Sequence, residues 1–493
     1  MDFGAVLFLL LIACISYMIV MYGKMLQKRG QLPPGPMPLP IIGNLLQVNT
    51  DNIAKSLIAL SKKYGPVFTI HLGSKPRLIL CGYETVKEAL IDQAEEFGGR
   101  GPYPVFFNFT KGNDLAFSNG KKWKELHRFV LQTMRNFGVG KRSIEERIQE
   151  EAQFLITELR KTKQLPFDPT LIICRSVANV IFSVVFGTRF NYEDKTFRTI
   201  VSTINENFHI ISSFWGTMYN IYPEIMDYLP GPHKKLFANY EAQKVILQDA
   251  VKAHQEKLDP DSPRDFIDAF LIKMQKEKNN PTTPFFTETL IMTVHNLLHG
   301  GTDTVTTTLR YGVLILMKFP EVAEKMQEEI NQVIGQDRPP AMEDRKKMPY
   351  TDAVIQEIQR FASIAPLAIP HLVMQDTQLN GYKIPKDITV IPVLASVHQD
   401  PEFYEKPEVF NPANFLDEKG CIKKNDALMI FSAGQRICPG ENLARMEVFL
   451  FFTILLQNFT FQPLGSREDL NLTPVGSSLE NLPQPYQCCA IPR

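Results

Sequence analysis

The chain has 493 residues, and its 53 lysines and arginines are balanced by 53 aspartates and glutamates. That balance excludes a global field of the kind that draws nucleic acid, so any partner is recognised locally. Seven scattered cysteines without a Cys-x-x-Cys pair speak against a disulfide framework or a zinc site, and point to a reducing compartment.

The first predicted element is the uncharged run from Phe3 to Tyr22. It is long enough for a membrane-crossing helix, which takes about 20 apolar residues. Lys24, Lys28 and Arg29 follow it while only Asp2 precedes it, an asymmetry that leaves the downstream chain in the cytoplasm. A cleaved signal peptide would put its basic residues first and have a shorter apolar stretch. Residues 1–22 therefore read as a transmembrane signal anchor. Residues 23–44 read as a basic and proline-rich hinge, because the prolines from Pro33 to Pro40 fix φ and remove donors, making a semi-rigid spacer. Residues 45–493 show no repeat, no low-complexity tract and no linker, and read as one domain.

Within that domain amphipathic blocks predict helices around Ile53 to Lys63, Ser143 to Lys161, Lys244 to Lys257, Glu321 to Val333 and Tyr350 to Phe361. Extended runs at Val67 to Leu72, Arg77 to Cys81 and Tyr382 to Ile391 are short. The fold class is therefore mainly α with small β-sheets. Phe106, Phe107 and Phe109 lie in one Pro/Gly-rich loop, and Phe208, Phe214 and Trp215 in a second aromatic stretch. Such residues suit a pocket for a lipophilic ligand, a core, or a face that dips into lipid. Between them, Trp123 offers an indole N–H and His127 an imidazole that can donate to a carboxylate.

Glu288 to Phe319 is apolar, free of proline and closed by Pro320. As one helix it spans roughly 48 Å at about 1.5 Å per residue. Gly300 and Gly301 at its middle cost on the order of 2 kcal/mol of helix propensity, so something approaches there or the helix opens. A close helix–helix contact accounts for them equally well. Asp303 and Thr304 follow, an acid and an alcohol able to hand protons into a dry pocket, and His299 adds a polar group to its rim. Further on, Glu357 and Arg360 stand three apart on a helix and can pair, although Glu125 and Arg128 share that spacing. Last comes Phe431-Ser432-Ala433-Gly434-Gln435-Arg436-Ile437-Cys438-Pro439-Gly440, one cysteine on a small-residue loop beside an arginine. A cysteine thiolate there is suited to ligating heme iron, which it activates toward O–O cleavage.

This last segment resembles the Phe-x-x-Gly-x-Arg-x-Cys-x-Gly signature of the cytochromes P-450 at every fixed position. The Gly300 to Thr304 segment, the Glu357–Arg360 pair and the Pro-Pro-Gly-Pro hinge resemble other marks of that family. The similarity runs from the anchor to Tyr486–Arg493 and is greatest to the microsomal family-2 enzymes of vertebrates. It implies a cytochrome P-450 fold behind one N-terminal transmembrane helix, and heme b with an axial thiolate from Cys438. It also implies propionate donors at Arg436, Trp123, His127 and His371, with Gly300, Phe431, Gly434 and Gly440 around the macrocycle. Glu357 and Arg360 would lock onto Phe410 to Phe415. Phe106, Phe107, Phe109, Phe208, Leu297, His299, Ala365, Leu367, Ser478 and Leu479 would border the substrate pocket. Four positions depart from the pattern: Gly300 for alanine, Val305 for a second hydroxyl, His127 for arginine, and Asn414 for arginine or histidine.

The implied activity is a monooxygenase acting on a xenobiotic, fatty acid or steroid at the endoplasmic reticulum membrane, single-pass with its catalytic domain facing the cytoplasm. No Gly-x-Gly-x-x-Gly follows a strand, so NADPH electrons come from another chain. The resemblance names NADPH-cytochrome P-450 reductase and cytochrome b5 as donors. Lys121, Lys122, Lys124, Arg128, Lys423 and Lys424 would form their docking patch. An isomerase or dehydratase of lipid peroxides, and a non-catalytic heme protein, are the alternatives.

Overall fold

In a computed structural model, residues 3–50, 52–476 and 479–493 are described, so Ser478 lies outside the described residues. Phe3–Arg29 forms one helix, running past Tyr22 through the basic residues expected to lie in the hinge. Among the described residues no helix is long and apolar enough to cross a membrane. The proline run is tied to the body: Thr69 N–H donates to Pro34 O at 2.8 Å and His71 N–H to the Asn44 side chain at 2.7 Å. Prolines cannot donate, but their carbonyls accept from the neighbouring strand, which stitches the segment to the body.

Helices dominate the domain, and the predicted blocks appear at Ile53–Tyr64, Arg142–Lys161, Pro320–Val333 and Pro349–Ala362. The block expected at Lys244 is instead the end of a helix that starts at Pro232 and runs to Glu256. Its proline at the first turn, where no intrahelical N–H is needed, marks that start. A five-stranded sheet orders Val67–Leu72, Lys75–Leu80, Thr389–Pro392, His371–Leu372 and Gly99–Arg100. The run predicted as Tyr382 to Ile391 breaks into two strands of different sheets, Tyr382–Ile384 and Thr389–Pro392. Asp387 lies between them at a φ of 65°, a left-handed turn that a continuous strand cannot hold.

The central helix, Thr287–Lys318, is buried on almost every side. It packs against Thr170–Val185, Glu441–Asn458, Pro232–Glu256 and Pro349–Ala362. Three of its hydroxyls are satisfied internally: Thr304, Thr306 and Thr308 each donate to the carbonyl four residues back, at 2.7–2.9 Å. That bonding lets part of a threonine-rich helix enter a dry core, although the Thr289, Thr293 and Thr302 hydroxyls are buried without a partner. The two adjacent glycines have different reasons. A Cβ on Gly301 would meet Ile181 at 3.0 Å, whereas one on Gly300 would meet nothing within 4 Å. Gly301 is therefore the helix–helix contact, and Gly300 fronts open space.

Candidate functional site

The cysteine loop is closed by the Cys438 N–H donating to Phe431 O at 3.0 Å. Gly434 turns it with a φ of +71°, and a Cβ there would stand 1.7 Å from the Leu90 carbonyl oxygen. No other residue fits. The chain then enters the helix Glu441–Asn458, so the Cys438 sulfur sits at a helix N-terminus, where the Gly440 and Glu441 amides favour its charged form. The residue is solvent-accessible, yet crowding around the sulfur pushes its thiol up, the two amides opposing and the Glu441 carboxylate adding to the push. Helix-end amides favour a thiolate over a thiol, and a bound cation would favour it further. Phe431 lies under the Arg445 guanidinium at 5.0 Å.

Arg436 leaves the loop for the sheet edge. It donates to Gly98 O, Ser118 O and Asn119 Oδ1 at 2.9–3.0 Å and lies 3.8 Å over the Trp123 ring. Its Nη1 is buried without a partner. Trp123 stacks on His127 at 4.8 Å, both on the helix Gly120–Asn136. His127, half-buried, is held below the usual imidazole range by desolvation and by Arg436. Arg128 is exposed, so it does not take the place that His127 fills.

Sequence reasoning missed Arg100, which pairs in register with His371. The signal was a lone arginine inside Gly98-Gly99-Arg100-Gly101. Arg100 is buried and donates to Ala116 O and Ile369 O. Burial lowers its pKa to about 10 and that of Arg436 to about 9, Arg100 also repelling the Arg436 guanidinium. Asp114 is the carboxylate that acts on both. Two buried cations against one carboxylate call for a further anion. His371 bonds Phe97 O through Nδ1 at 2.8 Å, and burial with the two arginines depresses it to about 3. The ring is therefore neutral with its proton on Nδ1, so Nε2 donates only when a neighbouring carboxylate raises its proton affinity.

Glu357 and Arg360 are almost fully buried and bonded twice, at 2.7 Å each. The guanidinium also donates to His398 O, Pro407 O and Val409 O, and Glu357 accepts from the Asn411 amide at 2.8 Å. Asn414 reaches Glu357 only at 3.4 and 3.5 Å. The backbone amide of Asn411 thus does most of what a charged third member would do.

The acid and the alcohol of the central helix point to different partners. Thr304 bonds Gly300 O, while Asp303 is fully buried, accepts from Asn205 Nδ2 at 3.4 Å and contacts Glu480. On the same helix His295 and His299 stack at 3.9 Å against Phe109, Phe208 and Tyr240. Burial depresses both imidazoles, His299 to about 4. Phe106 stacks on Phe117 and Tyr103 beside this group. Phe107 does not join them: its ring is 43% exposed. Leu297, Ala365, Leu367 and Leu479 are half-buried, Leu367 packing with the Val67–Leu72 sheet and Leu479 against the main core.

The Cytochrome P450 family profile matches residues 33–490. Among curated proteins, the chain is 57% identical to Cytochrome P450 2F2 of Mus musculus over 461 residues, 94% of each chain. It is 55% identical to Cytochrome P450 2F3 of Capra hircus over 492 residues, and 50% identical to Cytochrome P450 2G1 of Oryctolagus cuniculus over 494, in both cases covering 100% of each chain.

Proposed function

From the premise that this chain belongs to the cytochrome P450 family, and to its vertebrate family 2, we infer how its own residues perform the family's reaction. The chain is a monooxygenase of lipophilic substrates, supplied with NADPH electrons by a separate reductase. The heme of this family, held by a cysteine thiolate, supplies the activation of dioxygen. The residues present fit that group: one sulfur at a helix N-terminus, an orphaned guanidinium nitrogen, two buried cations short of an anion, and an open face at Gly300.

Cys438 would supply the thiolate, with the Gly440 and Glu441 amides tempering its charge. Arg436 and Arg100 would neutralise the propionates, with Trp123, His127 and His371 as weaker partners. Gly300 would let the macrocycle approach the central helix, and Thr304 would hold a proton-bearing hydroxyl at that face. Glu357 and Arg360 would hold the chain leading to the cysteine loop. The aromatic group of Phe106, Phe109, Phe208 and His299 would exclude water from the substrate. Lys121, Lys124, Arg128, Lys423 and Lys424 are exposed and would receive the acidic reductase, or cytochrome b5. Residues 1–22 would anchor the enzyme in the endoplasmic reticulum membrane with its domain in the cytoplasm, the basic residues that follow setting that orientation.

The observation that carries this reading is the Cys438 sulfur, facing two helix-end amides on a loop whose neighbouring arginine is short of an anion. The test is oxygen consumption on adding NADPH and reductase to the heme-loaded protein, across a panel of fatty acids, steroids and aromatic drugs. Substrate-dependent uptake that vanishes without reductase is expected. No uptake with any member overturns the reading.

A further inference from the structure

Asp303 is 0% exposed and Glu480 4% exposed, and the two carboxyl groups are close enough for each to act on the other. Two neighbouring carboxylates in a dry site repel, so they sit together at low cost only with a proton between them. The neighbours supply little else. Asp303 Oδ2 and both Glu480 oxygens have no other donor of good geometry, while Asn205 reaches Asp303 Oδ1 at 3.4 Å and Thr307 lies against Glu480. Among the described residues around the pair, the buried cation is Arg310, whose Nε and Nη1 are unpartnered and whose charge acts on both acids. Around it, burial keeps Cys174, Tyr311 and Tyr486 protonated and neutral, and holds His209 below the usual imidazole range. One guanidinium against two acids is neutral with a single proton bound, and a dry cluster is driven to neutrality.

We propose that Asp303 and Glu480 form an acid pair holding one shared proton, and that Glu480 is a positioning residue that keeps Asp303 protonated for delivery beside Thr304. Glu480 belongs to neither the cysteine signature nor the central-helix motif, and it comes to Asp303 from the C-terminal loop. In delivery, the carboxyl O–H of Asp303 breaks and its proton passes to a water beside Thr304, which releases one of its own protons to the reacting oxygen and so stays neutral. Exposed His209 then takes a proton from an acid of the bulk solvent and returns it to the pair, and no electron moves. The delivery half rests on the monooxygenase reading, whereas the shared proton does not.

Infrared difference spectroscopy of the purified heme-loaded protein at neutral pH decides the first half. The carbonyl band of a protonated carboxylic acid should be present in the wild type and lost in both E480Q and D303N, since each leaves one acid for one guanidinium. Glu447, also buried and pushed well up, contributes equally to all three and cancels. A band unchanged in both variants overturns the pair. With reductase, E480Q should lower product formed per NADPH several-fold and shift the pH profile of that ratio, because Asp303 then titrates beside a neutral amide. An unchanged ratio and profile, with the band lost, would refute the delivery role. If the wild type shows no reductase-dependent uptake at all, the monooxygenase reading fails while the infrared result still decides the pair.

Discussion

Replacing Glu357 with glutamine removes one charge from the most enclosed ion pair of the protein without opening a cavity. Arg360 and Glu357 retain 1% and 0% side-chain exposure, so the guanidinium would be left charged in a dry site. Breaking a buried pair from one side costs about 3–5 kcal/mol. Unfolding entropy of roughly 2.1 cal/mol/K per residue, over 493 residues, makes each kcal/mol worth about 1 °C. The E357Q midpoint should therefore fall by about 3–5 °C in a thermal scan followed by heme absorbance and circular dichroism together. Removing both charges in E357Q/R360M should not restore it. The carbonyls of His398, Pro407 and Val409 would lose their donor, at about 1–3 kcal/mol for each one left buried. A midpoint within about 1 °C of the wild type in E357Q, or full recovery in the double variant, would refute the clamp and reduce the pair to an ordinary structural contact.

Other outcomes follow from the same geometry. Gly434→Ala should abolish heme incorporation, because a left-handed φ costs about 1–2 kcal/mol and the Cβ collides with the Leu90 backbone. Gly440→Ala, whose Cβ would meet only the Cys438 sulfur at 3.7 Å, should still fold and load, as the reduced carbon monoxide spectrum would report. Thr304→Ala should keep the fold but divert electrons to peroxide, with product per NADPH falling by about tenfold or more; unchanged coupling would remove Thr304 from proton delivery. Glu480 is pushed well above the ordinary carboxylate value in the folded protein, so the folded state binds the extra proton. Stability should accordingly fall as pH rises from the unfolded value through the raised folded one, and E480Q should flatten that slope in denaturant titrations.

The parts legible in the sequence are those written within one element. Cys438, Gly434 and Arg436 share a loop, Glu357 and Arg360 share a helix face, and the apolar, proline-free run closed by Pro320 set the limits of the central helix to within a residue. What was not legible depends on chain segments meeting from afar. Arg100 earns its place by strand register with His371, and its side chain bonds a carbonyl 269 residues away. Asp303 follows Thr302 and precedes Thr304, yet one residue of rotation turns its carboxyl toward Asn205 and Glu480 rather than toward the alcohol. Gly300 and Gly301 are indistinguishable as letters and differ only in what faces them. Phe107 follows Phe106 and points outward, because adjacent positions on a helix lie about 100° apart.

The central claim is that Cys438 alone ligates the iron. It is tested most directly by the carbon monoxide difference spectrum of the reduced protein and of Cys438→Ser. The wild type should show the Soret band of thiolate ligation and the variant should lose it, even where the variant folds and retains heme. A thiolate band persisting in Cys438→Ser would contradict the assignment.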